Sequence, residues 1–251
     1  MIHNDEIMAM VDVDGIEELW DMHTSRMMGY GFDRIMYGFT QYRTSTSLGD
    51  PDDFVLLSNH SSDYIDGFIG KRLYHNAPML NWALHNVGAC SWSVLTDMID
   101  TSTLTAEERS VYEFNQKLNV VAGYTISFKS VSPRAKGAIA LTAKPGFSQA
   151  DTDAIWQEHG DDIILLNNIL HLRILSLPYA TPSRSLTNRQ REVLGWVGDG
   201  KTIQDIALLM ELTPATIEKH LRLARDALSV ETTAQAVLKA AFQNQMYILD
   251  A

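Results

Sequence analysis

One cysteine, Cys90, is present in 251 residues. A single thiol excludes an intrachain disulfide framework and any zinc site built on several cysteines, and it predicts a reducing compartment. No stretch approaches the roughly 18 unbroken apolar residues of a membrane-spanning helix, so no membrane association is expected. The opening MIHNDEIMAMVDVDG carries acids where a secretory leader carries bases, and no long apolar segment follows it. A cytoplasmic location is the expectation. Also missing are HExxH, a phosphate-cradling glycine loop, GxSxG and a compact carboxylate set. No catalytic residue, metal ligand or cofactor is therefore assigned, and an enzyme, in the form of a lactone or ester hydrolase, is only a remote alternative.

Basic charge is scarce overall, with 20 Lys and Arg against 31 Asp and Glu. The deficit is uneven, because residues 1–183 hold 12 bases against 23 acids and residues 184–251 hold 8 of each. All the excess acid thus lies outside the tail. A neutral tail gains little from nonspecific attraction to phosphates, so any nucleic-acid contact must rest on locally placed bases and on pairing of two copies.

Apolar residues make up 45% of the chain, which is enough for real cores in one large or two ordinary domains. In residues 1–175 the spacing predicts a helix over 16–28, strands over 34–42 and 54–57, and a helix over 63–73. A further helix opens at Pro78, and another begins after the Thr105 cap. Two runs of period two, 122–130 and 137–143, predict further strands, followed by a long helix over 148–175. Clustered apolar strands flanked by helices predict an α+β chain whose first domain is an α/β/α sandwich with an antiparallel sheet. LPYATPSRS, with two prolines, marks a linker within 176–185.

Residues 186–251 read differently, as an all-α four-helix unit. Thr187 with Gln190 forms a capping box before Val193, Leu194 and Val197. Thr202 caps a second, shorter helix, and Thr213 with Pro214 opens a third. In that third helix Ile217, Leu221, Ala224 and Leu228 form one apolar side, leaving Ala215, Thr216, Glu218, Lys219, Arg222 and Arg225 outward. Such a rod fits the major groove, where Arg222 can read guanine, Glu218 can accept from cytosine, and Lys219 or Arg225 can hold phosphates. Lys201, Thr202 and Thr213 complete the DNA-binding candidates. An ordinary surface pair between Glu218 and Arg222 is the competing reading. A fourth helix from about Thr233 closes the core or supplies a dimer contact.

The tail resembles the C-terminal helix-turn-helix of LuxR-type regulators. The resemblance is carried by Leu186-Thr187, Arg189, Glu192-Val193-Leu194, Gly200-Lys201-Thr202, Ile206-Ala207, Leu212, Thr216-Ile217, His220 and Leu228. Asp205 stands where glutamate is usual, and Ala227 where lysine is frequent. Tyr64 to Trp92 resembles the autoinducer-binding domain of the quorum-sensing branch. There Tyr64 takes the place of a lactone-binding tryptophan, Phe68 an aromatic of the pocket, Pro78 the proline of an Asp-Pro pair, Trp92 a later tryptophan and Gly123 a glycine before the central strand.

What the resemblance implies is a cytoplasmic transcription activator that binds double-stranded promoter DNA as a homodimer, with RNA polymerase as a further partner. Its signal would be an N-acyl homoserine lactone or a non-amide analogue. Two departures bear on that signal. Ala77 replaces the aspartate that accepts the amide N–H, and Ala140 replaces a hydroxyl residue near the amide carbonyl. An amide N–H left without a partner costs about 1–3 kcal/mol. His60, His75, Asn76 and Tyr124 are local substitutes, and Met36, Phe39, Phe54, Leu84 and Phe128 are candidates to set tail length. A ligand-independent regulator or dimerisation antagonist, with the pocket turned to solid core, is the alternative function.

Overall fold

The computed structural model describes residues 4–179 and 184–246. The chain divides into two compact units, one of residues 1–49 and 54–175, the other of residues 50–53 and 176–251. Of the expected linker, residues 180–183 lie outside the described residues. The short Asp50–Asp53 segment groups with the second unit, where Asp50 lies 2.9 Å from Arg184 and Asp53 lies 2.7 Å from Lys239. Sequence patterning holds no hint of this excursion, since it depends on ion pairs between distant residues.

The first unit opens with α1 (Asn4–Asp12) and α2 (Ile16–Gly29), followed by β1 (Phe32–Thr40) and β2 (Val55–Ser58). Next come α3 (Ser62–Ile65), a π turn over Asp66–Gly70, a 3-10 turn over Leu73–Asn76 and α4 (Pro78–His85). The helix expected over 63–73 is thus short and irregular beyond Ile65. Beyond it lie β3 (Gly88–Ser91), α5 (Ser93–Asp100), α6 (Ala106–Lys117), β4 (Gly123–Ser127), β5 (Lys136–Ala143) and the 28-residue α7 (Gln149–Ser176). The five strands form one antiparallel sheet in the order β2-β1-β5-β4-β3. This is the expected α+β architecture, with β3, α5 and α1 added to what the sequence pattern predicted.

Strand alternation sorts side chains between the two faces. From β1 and β5, Ile35, Tyr37, Ile139 and Leu141 are buried against the layer that contains α7, where the Tyr37 hydroxyl lies 2.8 Å from Nδ1 of His171. Residues of opposite parity, Met36, Gly38, Ala138, Ala140 and Thr142, face the layer formed by α3 to α6. Gly123 is required where β4 begins. A Cβ there would lie 2.2 Å from the Leu141 carbonyl oxygen and 3.0 Å from the Trp92 ring, so a side chain would part β4 from β5.

The second unit contains α8 (Asn188–Gly198), α9 (Ile203–Leu209), α10 (Pro214–Leu228) and α11 (Thr233–Phe242). Local chemistry fixes each start. Capping boxes join Thr187 to Gln190, Thr202 to Asp205 and Thr232 to Gln235, and the Thr213 hydroxyl accepts from the Thr216 N–H with Pro214 at the first helical position. Each such cap contributes about 1 kcal/mol. Val193, Leu194, Ile206, Ile217, Ala224 and Leu228 then bury themselves completely in one core, joined by Ala236 and Ala240 of α11.

Candidate functional site

Between the sheet and α3 to α6 lies a cavity of about 210 Å³. Its wall contains six of the expected ligand residues: His60, Tyr64, Phe68, Ala77, Trp92 and Ala140. Asn76 and Tyr124 do not line it, and His75 does not either. The reason is local in each case. His75 and Asn76 are the exposed end of a 3-10 turn whose buried Tyr74 lines the wall, and the buried Ala77 after them turns inward again. Tyr124 follows Gly123 by one position on β4, so strand parity carries it to the opposite face. There it stacks on Trp156 at 3.8 Å and its hydroxyl donates to Asp153 at 2.7 Å. Burial, followed by that carboxylate, pushes the Tyr124 phenol up to about 12.

The same parity brings in residues that sequence reasoning passes over. Thr125, next to Tyr124, faces the cavity and accepts from the Trp92 indole N–H at 2.9 Å. Thr142, two positions beyond Ala140 on β5, also lines the wall. Period-two counting from Ala140 reaches Thr142, and the same signal separates Thr125 from Tyr124. Asn115, on α6, accepts from the Tyr64 hydroxyl at 3.2 Å; a polar residue on a mostly exposed helix carries no sequence signal.

Tyr64 is the centre of an aromatic stack. His60 lies 4.3 Å from it on one side and Phe68 5.3 Å away, with Phe114 at 5.5 Å. Ser61 caps α3 through the Tyr64 N–H, which fixes the ring's approach. Burial raises the Tyr64 phenol far above its ordinary value, so it stays a donor. Burial, aided by the Arg34 charge, lowers His60 to about 4, leaving a neutral imidazole at pH 7. Among the size-setting candidates Met36, Phe39, Phe54 and Leu84 line the cavity. Phe128 does not, since it stacks on His171 at 4.1 Å on the other side of the sheet.

Among the described residues, no aspartate or glutamate belongs to this wall, and its one formal cation is Lys136. The Lys136 ammonium donates to the Asn86 carbonyl at 2.9 Å. Cys90 lies outside the wall, and burial pushes its thiol up, away from the thiolate a nucleophile needs. The chemistry on offer is the binding of a small, mainly apolar molecule.

In the second unit, α10 buries Ile217, Leu221, Ala224 and Leu228 and presents Ala215, Glu218, Lys219 and Arg222 to solvent. Arg222 does not pair with Glu218. Its guanidinium lies 3.0 Å from Asp226, one turn in the other direction. Arg225 is half-buried and donates to the Thr233 hydroxyl at 3.1 Å, tying α10 to α11. Lys201 is exposed beside Gly200, whose φ of +81° makes the turn into α9. Thr202 and Thr213 spend their hydroxyls as caps, while half-buried Thr216 shares a 2.9 Å contact with Thr213.

A cavity-bearing α/β/α sandwich followed by three capped helices in helix-turn-helix order defines a class, the two-domain transcription regulators. The family model described as the autoinducer binding domain matches residues 15–174, and that of bacterial regulatory proteins of the luxR family matches residues 184–240. The chain belongs to this LuxR family of regulators, which is a family of transcription factors and not of enzymes. It is 25% identical to the transcriptional activator protein ExpR of Dickeya dadantii over 182 residues, covering 68% of this chain and 70% of that one. Identity to the transcriptional activator protein AnoR of Acinetobacter nosocomialis is 22% over 246 residues, covering 94% and 95%. Among solved structures, Escherichia coli SdiA shares the fold with a TM-score of 0.53 at 16% identity, covering 97% of each chain. SdiA in complex with octanoyl-rac-glycerol also scores 0.53 at 16% identity, covering 95% and 93%.

Proposed function

We propose that this protein activates transcription in response to a small amphipathic signal, binding promoter DNA as a homodimer. The observation that carries the reading is the outward face of α10, where Glu218, Lys219 and Arg222 stand exposed on a helix whose other side is wholly buried. Burial of that kind holds the helix in one rotational setting, which base readout requires. Activation is supported by the likeness to the transcriptional activators ExpR and AnoR. RNA polymerase is the partner through which an activator would act.

Pairing of two copies is supported by apolar side chains left outside on two helices. Leu165 and Leu172 stand seven residues apart on α7 with exposures of 45% and 65%, and Leu238 is 55% exposed on α11. One small module gives limited discrimination, and two half-sites read together multiply it. The acyl homoserine lactone and the analogue without an amide both fit an apolar cavity. The lack of an acidic acceptor at Ala77 and among the described residues of the wall supports the second. That SdiA has been solved with octanoyl-rac-glycerol is consistent with such a ligand in this fold.

The test is twofold. Mass spectrometry of small molecules released from the purified chain is expected to find one apolar species in stoichiometric amount. Footprinting on promoter fragments is expected to protect a site of two half-sites, one or more helical turns apart. A chain that protects no segment in any ligand state would remove the reading.

A further inference from the structure

The end of the sheet at which β1 finishes and β5 begins is a positively charged corner of an acidic unit. Residues 40–49, 84–91 and 128–137 meet there, with Arg43, Lys129, Arg134 and Lys136 among them and none of the acids of residues 1–183. Main-chain geometry brings them together. Thr40 is the register partner of Lys136, the Arg43 N–H donates to the Arg134 carbonyl at 3.0 Å, and the Lys136 ammonium donates to the carbonyls of Asn86 at 2.9 Å and Phe128 at 3.4 Å.

Lys136 belongs both to this corner and to the cavity wall, and it is half-buried, so it stands where the wall meets solvent. Arg43 is half-buried near it and donates to the carbonyl of Leu84, itself a wall residue, at 3.1 Å. Among the described residues these two side chains bond to main-chain carbonyls and to no acid. A carbonyl accepts a donor but leaves the charge uncompensated. Burial, then the nearby Arg43 charge, press the Lys136 ammonium below its ordinary value. The opposite end of the cavity differs. Arg34, the register partner of Thr142, lies outside the wall, pairs with Asp33 at 3.0 Å and donates to the carbonyls of Asn119 and Ala143. Its charge is already met. Between the two ends the wall runs over Gly38, Ala138, Ala140 and Phe68.

We infer that the cavity takes an amphipathic carboxylic acid, with its carboxylate at the rim between Lys136 and Arg43 and its hydrocarbon or aromatic body directed inward over Ala138 and Ala140. This rests on the signal-binding reading above and names the class of signal. An ammonium carries three donors, of which the Asn86 and Phe128 carbonyls use two, so one carboxylate oxygen can accept the third. The other oxygen accepts from the Arg43 guanidinium, which has N–H groups beyond the one given to Leu84. The charge stays at the edge of solvent while the body is desolvated, so no ion is buried unpaired. A neutral ester of the same length keeps the apolar contact and leaves both cations without a counter-ion. An ammonium amphiphile adds a third positive charge to them.

The experiment uses the full chain and three probes of equal tail length: octanoate, methyl octanoate and octylammonium. Titrated affinity and melting temperature are read at pH 7.5, at low and high salt, for the wild type, Lys136→Met, Lys136→Arg and Arg43→Gln. Octanoate is expected to bind the wild type about tenfold tighter than its methyl ester. Lys136→Met should lose that advantage with its ester affinity unchanged, and Lys136→Arg should restore most of it. Arg43→Gln should weaken octanoate severalfold, and it decides the matter if the methionine variant does not fold. High salt should erode the binding of octanoate and not of the ester, since charges at a half-exposed rim are screened. Equal or tighter binding of the ester or of octylammonium by the wild type, or full octanoate affinity in both Lys136→Met and Arg43→Gln, would overturn the assignment and leave signal binding intact. Failure of all three probes to bind or stabilise the wild type would overturn the signal-binding reading as well, while footprinting still judges DNA binding separately.

Discussion

The Trp92 indole N–H donates to the Thr125 hydroxyl at 2.9 Å, joining the start of α5 to the middle of β4 across the cavity floor. Trp92 is 8% exposed and Thr125 is 4% exposed, so the pair is shielded from bulk water. Thr125→Val should therefore destabilise the first unit by about 1–3 kcal/mol, the penalty of an orphaned buried donor. Urea unfolding followed by tryptophan fluorescence measures it. An unchanged midpoint would mean that the indole finds another acceptor in the cavity.

Gly123→Ala should be far more damaging. The new Cβ would stand 2.2 Å from the backbone oxygen of Leu141, and β5 cannot give way there without disturbing the register that pairs Gly123 with Thr142. A loss of at least ~3 kcal/mol is expected from overpacking of this kind, read as a collapse in soluble yield at 37 °C. Gly15→Ala, with nothing within 4 Å of the added Cβ, is the matched control.

These two sites also separate what residue order reveals from what it conceals. The tail is readable because caps are local: Thr187 with Gln190, and Thr213 with Pro214, announce helix starts within four residues. β3 is four residues long and α5 follows Trp92, an N-cap whose side chain makes no capping hydrogen bond, so neither has a local signature. The cavity is readable by family resemblance at Tyr64, Phe68, Ala77 and Trp92. Tyr124 misleads because a shift of one residue on a strand reverses its face.

Acid should destabilise the first unit well before the carboxylates titrate. His23 and His171 are both lowered to about 4 by burial, His23 despite its 3.1 Å contact with Asn167. The unfolded chain then binds more protons than the folded one between about pH 6.5 and 4. Stability is therefore complete above the unfolded value and is lost as pH falls through this window. Each buried imidazole accounts for on the order of 3 kcal/mol by pH 4. Unfolding midpoints at pH 7, 6 and 5 should fall steadily, with a shallower slope in His23→Gln. A flat profile would mean that both rings accept a proton in the folded state.

The Arg222–Asp226 pair sets up opposite outcomes for its two members. Both side chains are more than half exposed, so the 3.0 Å pair adds little to stability and chiefly decides where the guanidinium rests before DNA arrives. Arg222→Ala should cost about 1–3 kcal/mol on the preferred site and much less on scrambled duplex, if the side chain reads a base. Asp226→Ala removes a negative charge next to the phosphates and releases Arg222, so affinity should rise on both duplexes. Titrations at two salt concentrations separate the roles. Equal loss of both duplexes in Arg222→Ala, with a salt slope smaller by about one, would reassign Arg222 from base reading to phosphate holding.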